Sequence, residues 1–192
     1  MKKIVLLAGI ATSLFAFNAN AVEFNPYIGL DFAYSDFGTK SEAKSVVENK
    51  YNSFKVDLGA KLHKNFGLEL FYQQSGDEDK SAVDIFGDTL KTTTEYKAYG
   101  IDAIGYLPIV DNVEGLASVG FAKYDFKAKF GGDYYGHGDE DNMALRLGIG
   151  AQYNINNHWA VNGMIRYAKI DDGSDDVYED LTEFSLGIRY KF

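Results

Sequence analysis

The 192-residue sequence contains no cysteine. That excludes disulfides, a lipid-modified N-terminal cysteine and thiolate metal sites. Positive charge is scarce, with 19 Lys+Arg against 28 Asp+Glu, which argues against nucleic acid as a partner. Proline is nearly missing: the two present are Pro26 and Pro108. Beyond residue 21 no apolar run is long enough for a transmembrane helix.

The N-terminus has a pattern of its own. "MKK" is followed by an almost wholly apolar run, Ile4 to Phe17, and then by the small-residue site Ala19-Asn20-Ala21. This reads as a cleaved signal peptide over residues 1–21, because the apolar run is too short to span a bilayer core of about 30 Å. The mature chain, 22–192, then has 171 residues (192 − 21), which suits one domain. Losing Lys2 and Lys3 leaves 17 Lys+Arg against 28 Asp+Glu, a net charge of −11. Export without a helical anchor leaves the periplasm, the medium, or an outer membrane crossed by strands.

The period of the mature chain is two. Eight stretches alternate, over roughly 24–35, 52–62, 66–75, 93–107, 115–128, 142–154, 158–170 and 181–192. Each has the length that a tilted membrane strand needs. Pro26 falls near the start of the first and Pro108 in a connection, where a missing ladder donor is tolerated. The connections 63–65, 108–114 and 155–157 are short, whereas 36–51, 76–92, 129–141 and 171–180 are long and polar. Long loops confined to one end predict an all-β, eight-stranded antiparallel up-and-down transmembrane β-barrel.

Alternation alone does not say which face points inward, since a soluble ligand-binding barrel alternates too. No lipocalin-type Gly-X-Trp stands near the first strand, and three features favour the membrane. The polar face is strongly charged: Phe54, Val56, Leu58, Ala60 and Leu62 oppose Lys55, Asp57, Gly59 and Lys61. Aromatics gather toward strand ends, as expected of interfacial girdles. Tyr27, Phe66, Tyr106, Tyr153, Trp159, Tyr190 and Phe192 form one band; Tyr34, Phe54, Tyr72, Tyr99, Tyr124 and Tyr167 form the other. The third feature is the final strand, "SLGIRYKF", which places Phe184, Leu186, Ile188, Tyr190 and Phe192 on one face. Closure against the first strand would leave no edge in lipid.

Two stretches carry a more specific likeness. "SLGIRYKF" resembles the C-terminal assembly signal of outer-membrane barrels. "GIGAQYNINNHWAVNGMIRY" (Gly148–Tyr167) is similar to the sixth-to-seventh strand hairpin of small OmpA/OmpX-like and opacity-protein-like barrels. The resemblance implies a Gram-negative outer membrane surrounded by lipid and lipopolysaccharide. It also implies insertion by the barrel assembly machinery, which would read Phe184, Leu186, Ile188, Tyr190 and Phe192. OmpA itself carries a peptidoglycan-binding domain after its barrel, and this chain ends at the barrel.

Two strands are less regular. In the fifth, apolar residues change phase from Val119 and Phe121 to Tyr124 and Phe126, through a bulge near Ala122–Lys123 or large residues in the lumen. In the fourth, Asp102 shares a face with Ala98, Gly100 and Ile104, which we place inward.

The sequence carries little sign of catalysis. His63 and His158 lie in or beside short turns, and no His–Ser–acid pattern of a lipid-acting outer-membrane enzyme is visible. The acidic runs at 76–80, 138–142 and 171–176 lack EF-hand spacing and read as solvated loops, which could share divalent ions with lipopolysaccharide. No cofactor is expected. The sharpest constellation is the set of inward charges: Asp31, Lys55, Asp57, Lys61, Glu69, Asp102, Arg146, Arg166, Glu183, Arg189 and Lys191. An eight-stranded barrel is just wide enough to be filled by side chains, and buried charges there must pair. The expectation is a monomeric, non-enzymatic barrel with a plugged lumen and an envelope-structural or surface-contact role. A narrow porin-like channel is the alternative, and any surface or host ligand is unspecified.

Overall fold

The computed structural model describes residues 24–39, 49–76, 78–83, 89–131, 136–170 and 178–192. The segment 1–21 read as a signal peptide and the acidic run at 171–176 lie outside the described residues.

Among the described residues nine strands follow one another: β1 (Asn25–Thr39), β2 (Lys50–His63), β3 (Phe66–Ser75), β4 (Glu78–Val83), β5 (Thr89–Val110), β6 (Val113–Gly131), β7 (Gly136–Asn154), β8 (Trp159–Ile170) and β9 (Tyr178–Lys191). Every pairing is antiparallel, and β1 meets β9, so the sheet closes. β3 and β4 pair in succession with β5 and act as one stave interrupted near Gly76. The result is an eight-stave barrel.

The register fixes its stagger. Stepping from strand to strand runs Tyr27, Gly59, Glu69, Asp102, Gly120, Arg146, Ala168, Leu181 and back to β1 at Phe37. The circuit climbs ten residues (37 − 27). An even shift is required, because an odd one would join an inward face to an outward one.

The pleat sorts the residues. Leu30, Leu58, Leu70, Ile149 and Leu186 point outward and are more than half exposed, as a lipid-facing band requires. Charged and small residues point inward. Closure at the chain's end runs from Tyr27↔Lys191 to Thr39↔Tyr178, and the Phe192 amide donates to the Pro26 carbonyl at 3.1 Å.

Several expectations are corrected. The strands run further than the alternation indicated. Pro108 and Glu114 are paired inside β5 and β6, and the turn contracts to Asp111–Asn112. The acidic runs at 76–80 and 138–142 belong largely to β4 and β7 instead of loops, because hydrogen bonding along long neighbours carries polar sequence into the sheet. β6 has no bulge at Ala122–Lys123: its pairing with β5 and β7 is continuous there. Tyr124 and Phe126 simply point inward. Tyr27 and Tyr106 do as well, so these and Tyr124 leave the proposed girdles for the lumen.

Candidate functional site

The lumen is where the sequence concentrates its chemistry. All eleven charged residues singled out above lie on the inward face. Nine are buried, and Lys61 and Lys191 stand at the short-turn mouth.

At that mouth Lys61 pairs with Glu114 and sits 4.4 Å from the Tyr106 ring centre. Glu114 also accepts from Gln152 at 3.1 Å and Asn154 at 3.3 Å, and Lys191 donates to Asn154 at 3.0 Å. Gln152 links this rim to the layer above by accepting from Arg189 at 3.0 Å.

In the next layer Arg189 binds Glu69 at 2.7 Å and lies over the Tyr27 ring, whose hydroxyl donates to the same carboxylate at 2.8 Å. Lys55 is shared by Asp31 at 2.8 Å, Asp57 at 2.9 Å and Glu69 at 3.7 Å. Room for these side chains comes from glycine across the ladder: Asp31 faces Gly187, Asp57 faces Gly29, and Asp102 faces Gly120. A methyl group at Gly187 or Gly120 would overlap the opposing carboxylate.

The middle layer holds two acids and two arginines. Arg166 reaches Glu183 at 3.3 Å and Ser185 at 2.8 Å, and Arg146 reaches Glu183 at 3.5 Å. Asp102 stands 3.9 Å from Arg146 and 3.8 Å from Arg166. Arg146 also covers the Phe71 ring at 4.1 Å. Charges this deeply buried are tolerable only when each finds opposite charge and hydrogen bonds. The deep set counts five acids (Asp31, Asp57, Glu69, Asp102, Glu183) against four bases (Lys55, Arg146, Arg166, Arg189). Adding Glu114, Lys61 and Lys191 at the mouth gives six of each, so the chain's negative excess resides elsewhere.

Above the arginines the lumen changes character. Gln73 Nε2 lies 2.8 Å from each of Ser53, Tyr96 and Glu183, forming a neutral step. Over it sits an apolar layer of Phe37, Tyr51, Tyr96, Tyr124, Phe126, Ile170 and Leu181. Phe37 is its hub, edge-on to Tyr51 (5.6 Å), Tyr96 (5.2 Å), Tyr124 (6.0 Å) and Phe126 (5.2 Å). These separations are in the range where ring edges and faces attract.

The sequence reading misses Glu114, and of this layer it offers only Tyr124 and Phe126 to the lumen, as the alternative to a bulge. The signal was available as parity: Glu114, Leu116, Gly120, Tyr124 and Phe126 all fall on even positions of β6. Hydrophobicity obscured it, because Tyr and Phe fit a lipid interface as readily as a closed lumen.

Outside the barrel, Phe184, Leu186 and Ile188 face outward on β9. Tyr190 makes an edge contact with Trp159 at 4.9 Å, and Phe192 packs on Tyr190 at 5.3 Å. His158 stacks on Tyr190, and its Nδ1 is 3.1 Å from the Lys191 carbonyl. Among the described residues no group of three or more His, Asp or Glu is placed to hold a metal ion.

The family described as "Outer membrane protein beta-barrel domain" matches residues 4–192. No curated protein matches the chain. Among solved structures, Neisserial surface protein A is 17% identical with a TM-score of 0.68, covering 87% of this chain and 97% of its own. Ail, the attachment invasion locus protein of Yersinia pestis, in complex with the heparin analogue sucrose octasulfate, is 16% identical with a TM-score of 0.62, covering 88% and 99%. OprG of Pseudomonas aeruginosa is 14% identical with a TM-score of 0.56, covering 89% and 97%. At these identities the likeness carries the fold.

Proposed function

This chain belongs to the outer-membrane β-barrel protein family, and from that premise we propose a non-enzymatic, non-conducting barrel that presents its long-loop end for surface contact. The observation that carries this reading is the Phe37-centred aromatic layer, stacked on a lumen already filled by ion pairs. Export would use residues 1–21, and the assembly machinery would read Phe184, Leu186, Ile188, Tyr190 and Phe192.

The partner's chemistry follows from charge. Residues 36–51, 76–97, 123–143 and 169–182 make up the long-loop end and hold 20 Asp+Glu against 10 Lys. Sucrose octasulfate, bound by the Ail structure, carries sulfate esters and is anionic. A net charge of −10 suits a cationic partner, or an anionic one bridged by divalent ions.

The test is single-channel conductance of the refolded mature chain in a planar bilayer, with folding verified by a heat-dependent gel shift. Silence supports the plugged barrel. Discrete, reproducible steps would transfer the function to a narrow channel. One observation favours that second reading: both Asp102 oxygens, Arg146 Nε and Nη1, and Arg166 Nη2 are buried without a hydrogen-bond partner. Such atoms suit a hydrated interior.

A further inference from the structure

The deep lumen holds five acids and four bases, so one buried negative charge has no counterpart there. The middle layer is balanced, with Glu183 and Asp102 facing Arg146 and Arg166. The excess therefore falls in the layer below, where Asp31, Asp57 and Glu69 share Lys55 and Arg189. The two lysines of the mouth do not reach it. Lys61 is held by Glu114 and Lys191 by Asn154, and Lys61 is four residues, about 13 Å, along β2 from Asp57.

The three carboxylates are unequally served. Glu69 takes Arg189 at 2.7 Å and the Tyr27 hydroxyl at 2.8 Å, with Lys55 at 3.7 Å. Asp31 has Lys55 at 2.8 Å and Asn162 at 3.5 Å. Asp57 has Lys55 alone, 2.9 Å from Oδ1. Its Oδ2 is buried with neither an ion pair nor a hydrogen bond. A methyl group on Gly29 of β1 would lie 3.0 Å from that oxygen and 3.5 Å from Arg189 Cγ. Oδ2 is therefore turned toward the Gly29 backbone and the aliphatic stem of Arg189. The terminal nitrogens of Arg189 are taken by Gln152 and Glu69, and Arg166 Nη1 by Glu183 and Ser185. On β3 the ladder neighbour of Asp57 is Phe71, which is also buried.

We propose that Asp57 is a proton-binding site, its carboxyl neutral in the folded barrel at pH 7 and so accounting for the unmatched charge. A carboxylate there would share one lysine with two others, whereas a neutral carboxyl costs far less to desolvate. Among the described residues no group of three or more acids is placed to hold a metal ion instead. The inference rests on the lumen alone and is independent of surface contact or conductance.

The first readout is the infrared carbonyl stretch of a protonated carboxyl, recorded on the folded mature chain at pH 7, where exposed carboxyls are ionised. It should be present in the wild type and absent from Asp57→Asn. The second is urea unfolding in detergent from pH 5 to pH 9. Folding retains a proton that the unfolded chain has lost. The wild-type folding constant should therefore fall relative to that of Asp57→Asn as pH rises, by up to about tenfold per unit. Asp57→Asn should equal or exceed the wild type in stability at pH 7. Glu69→Gln, which strips Arg189 of its carboxylate, should be less stable than both. Absence of the carbonyl band from the folded wild type, or its persistence in Asp57→Asn, would overturn the proposal. So would parallel pH curves for wild type and Asp57→Asn, equal costs of Asp57→Asn and Glu69→Gln, or an Asp57→Asn chain that does not fold.

Discussion

Below Gln73 the lumen is filled by ions, and above it by rings. The two regions are built on the same staves with the same alternation, yet they differ in what holds them. In the lower region one charged group serves several partners. Glu183 takes Arg146, Arg166 and Gln73, and Lys55 sits among three carboxylates. Desolvation there offsets most of the Coulomb gain, so the network fixes geometry more than it adds stability. The upper region buries no charge. Phe37 and its four ring neighbours gain from apolar transfer and edge contacts. What is desolvated there are hydroxyls: Tyr51 donates to Thr94, Tyr96 meets Ser35 and Gln73, and Tyr124 is buried without a hydrogen-bond partner. Ions therefore fill the lower lumen, and rings fill the upper.

The largest effect should come from stranding charge in the lower region. Glu183→Ala leaves two buried guanidinium groups short of their shared acceptor, a loss of about 3–5 kcal/mol by analogy with broken buried pairs. Urea unfolding of the refolded protein in detergent measures it. A change below about 1 kcal/mol would mean the arginines re-pair with Asp102 and that the network is slack.

Next is the hub of the upper region. Phe37→Ala should cost about 3 kcal/mol or slightly more, as other buried Phe truncations do. It should also do something that no change of charge does, which is to open a conducting path. Glu183→Gln, which keeps volume, should stay silent in the same bilayer. Conductance in Glu183→Gln but not in Phe37→Ala would reverse the assignment of seal and filling.

A smaller effect tests the boundary. Tyr96 belongs to both regions, its ring in the aromatic layer and its hydroxyl 2.9 Å from Ser35 and 2.8 Å from Gln73. Tyr96→Phe keeps the ring and should cost about 1 kcal/mol, the net value of a neutral buried hydrogen bond. The same urea titration reports it. A loss as large as that of Phe37→Ala would show that the hydroxyl, and not the ring, holds the layer.

The lower region was legible in the sequence because charge on an alternating strand has one reasonable destination. Lys55 and Asp57 flanked by Phe54, Val56 and Leu58 cannot face lipid. The upper region was not legible, because its residues have two destinations. Tyr124 suits a headgroup belt as well as a lumen, and only the register of β6 against β5 and β7 decides. Strand ends were misjudged for a related reason. Residues 138–142 look like a loop by composition, but they are held in β7 by pairing with β6.

The smallest effect belongs at the mouth, where the lower region meets water. Lys61 and Glu114 make an ion pair like those inside, but their side chains are 23% and 13% exposed. Glu114 keeps Gln152 and Asn154 when Lys61 is changed. Lys61→Gln should therefore cost only about 0–1 kcal/mol and lose that cost in high salt, as exposed pairs do. Lys55→Gln puts the same substitution among three carboxylates at zero exposure. It should cost several times more and be insensitive to salt, since ions in solution do not reach it. Urea midpoints for both variants at low and high salt make the comparison directly. Equal costs, or salt sensitivity at Lys55, would mean that water reaches the deep network freely from the mouth and that the lower lumen behaves as surface.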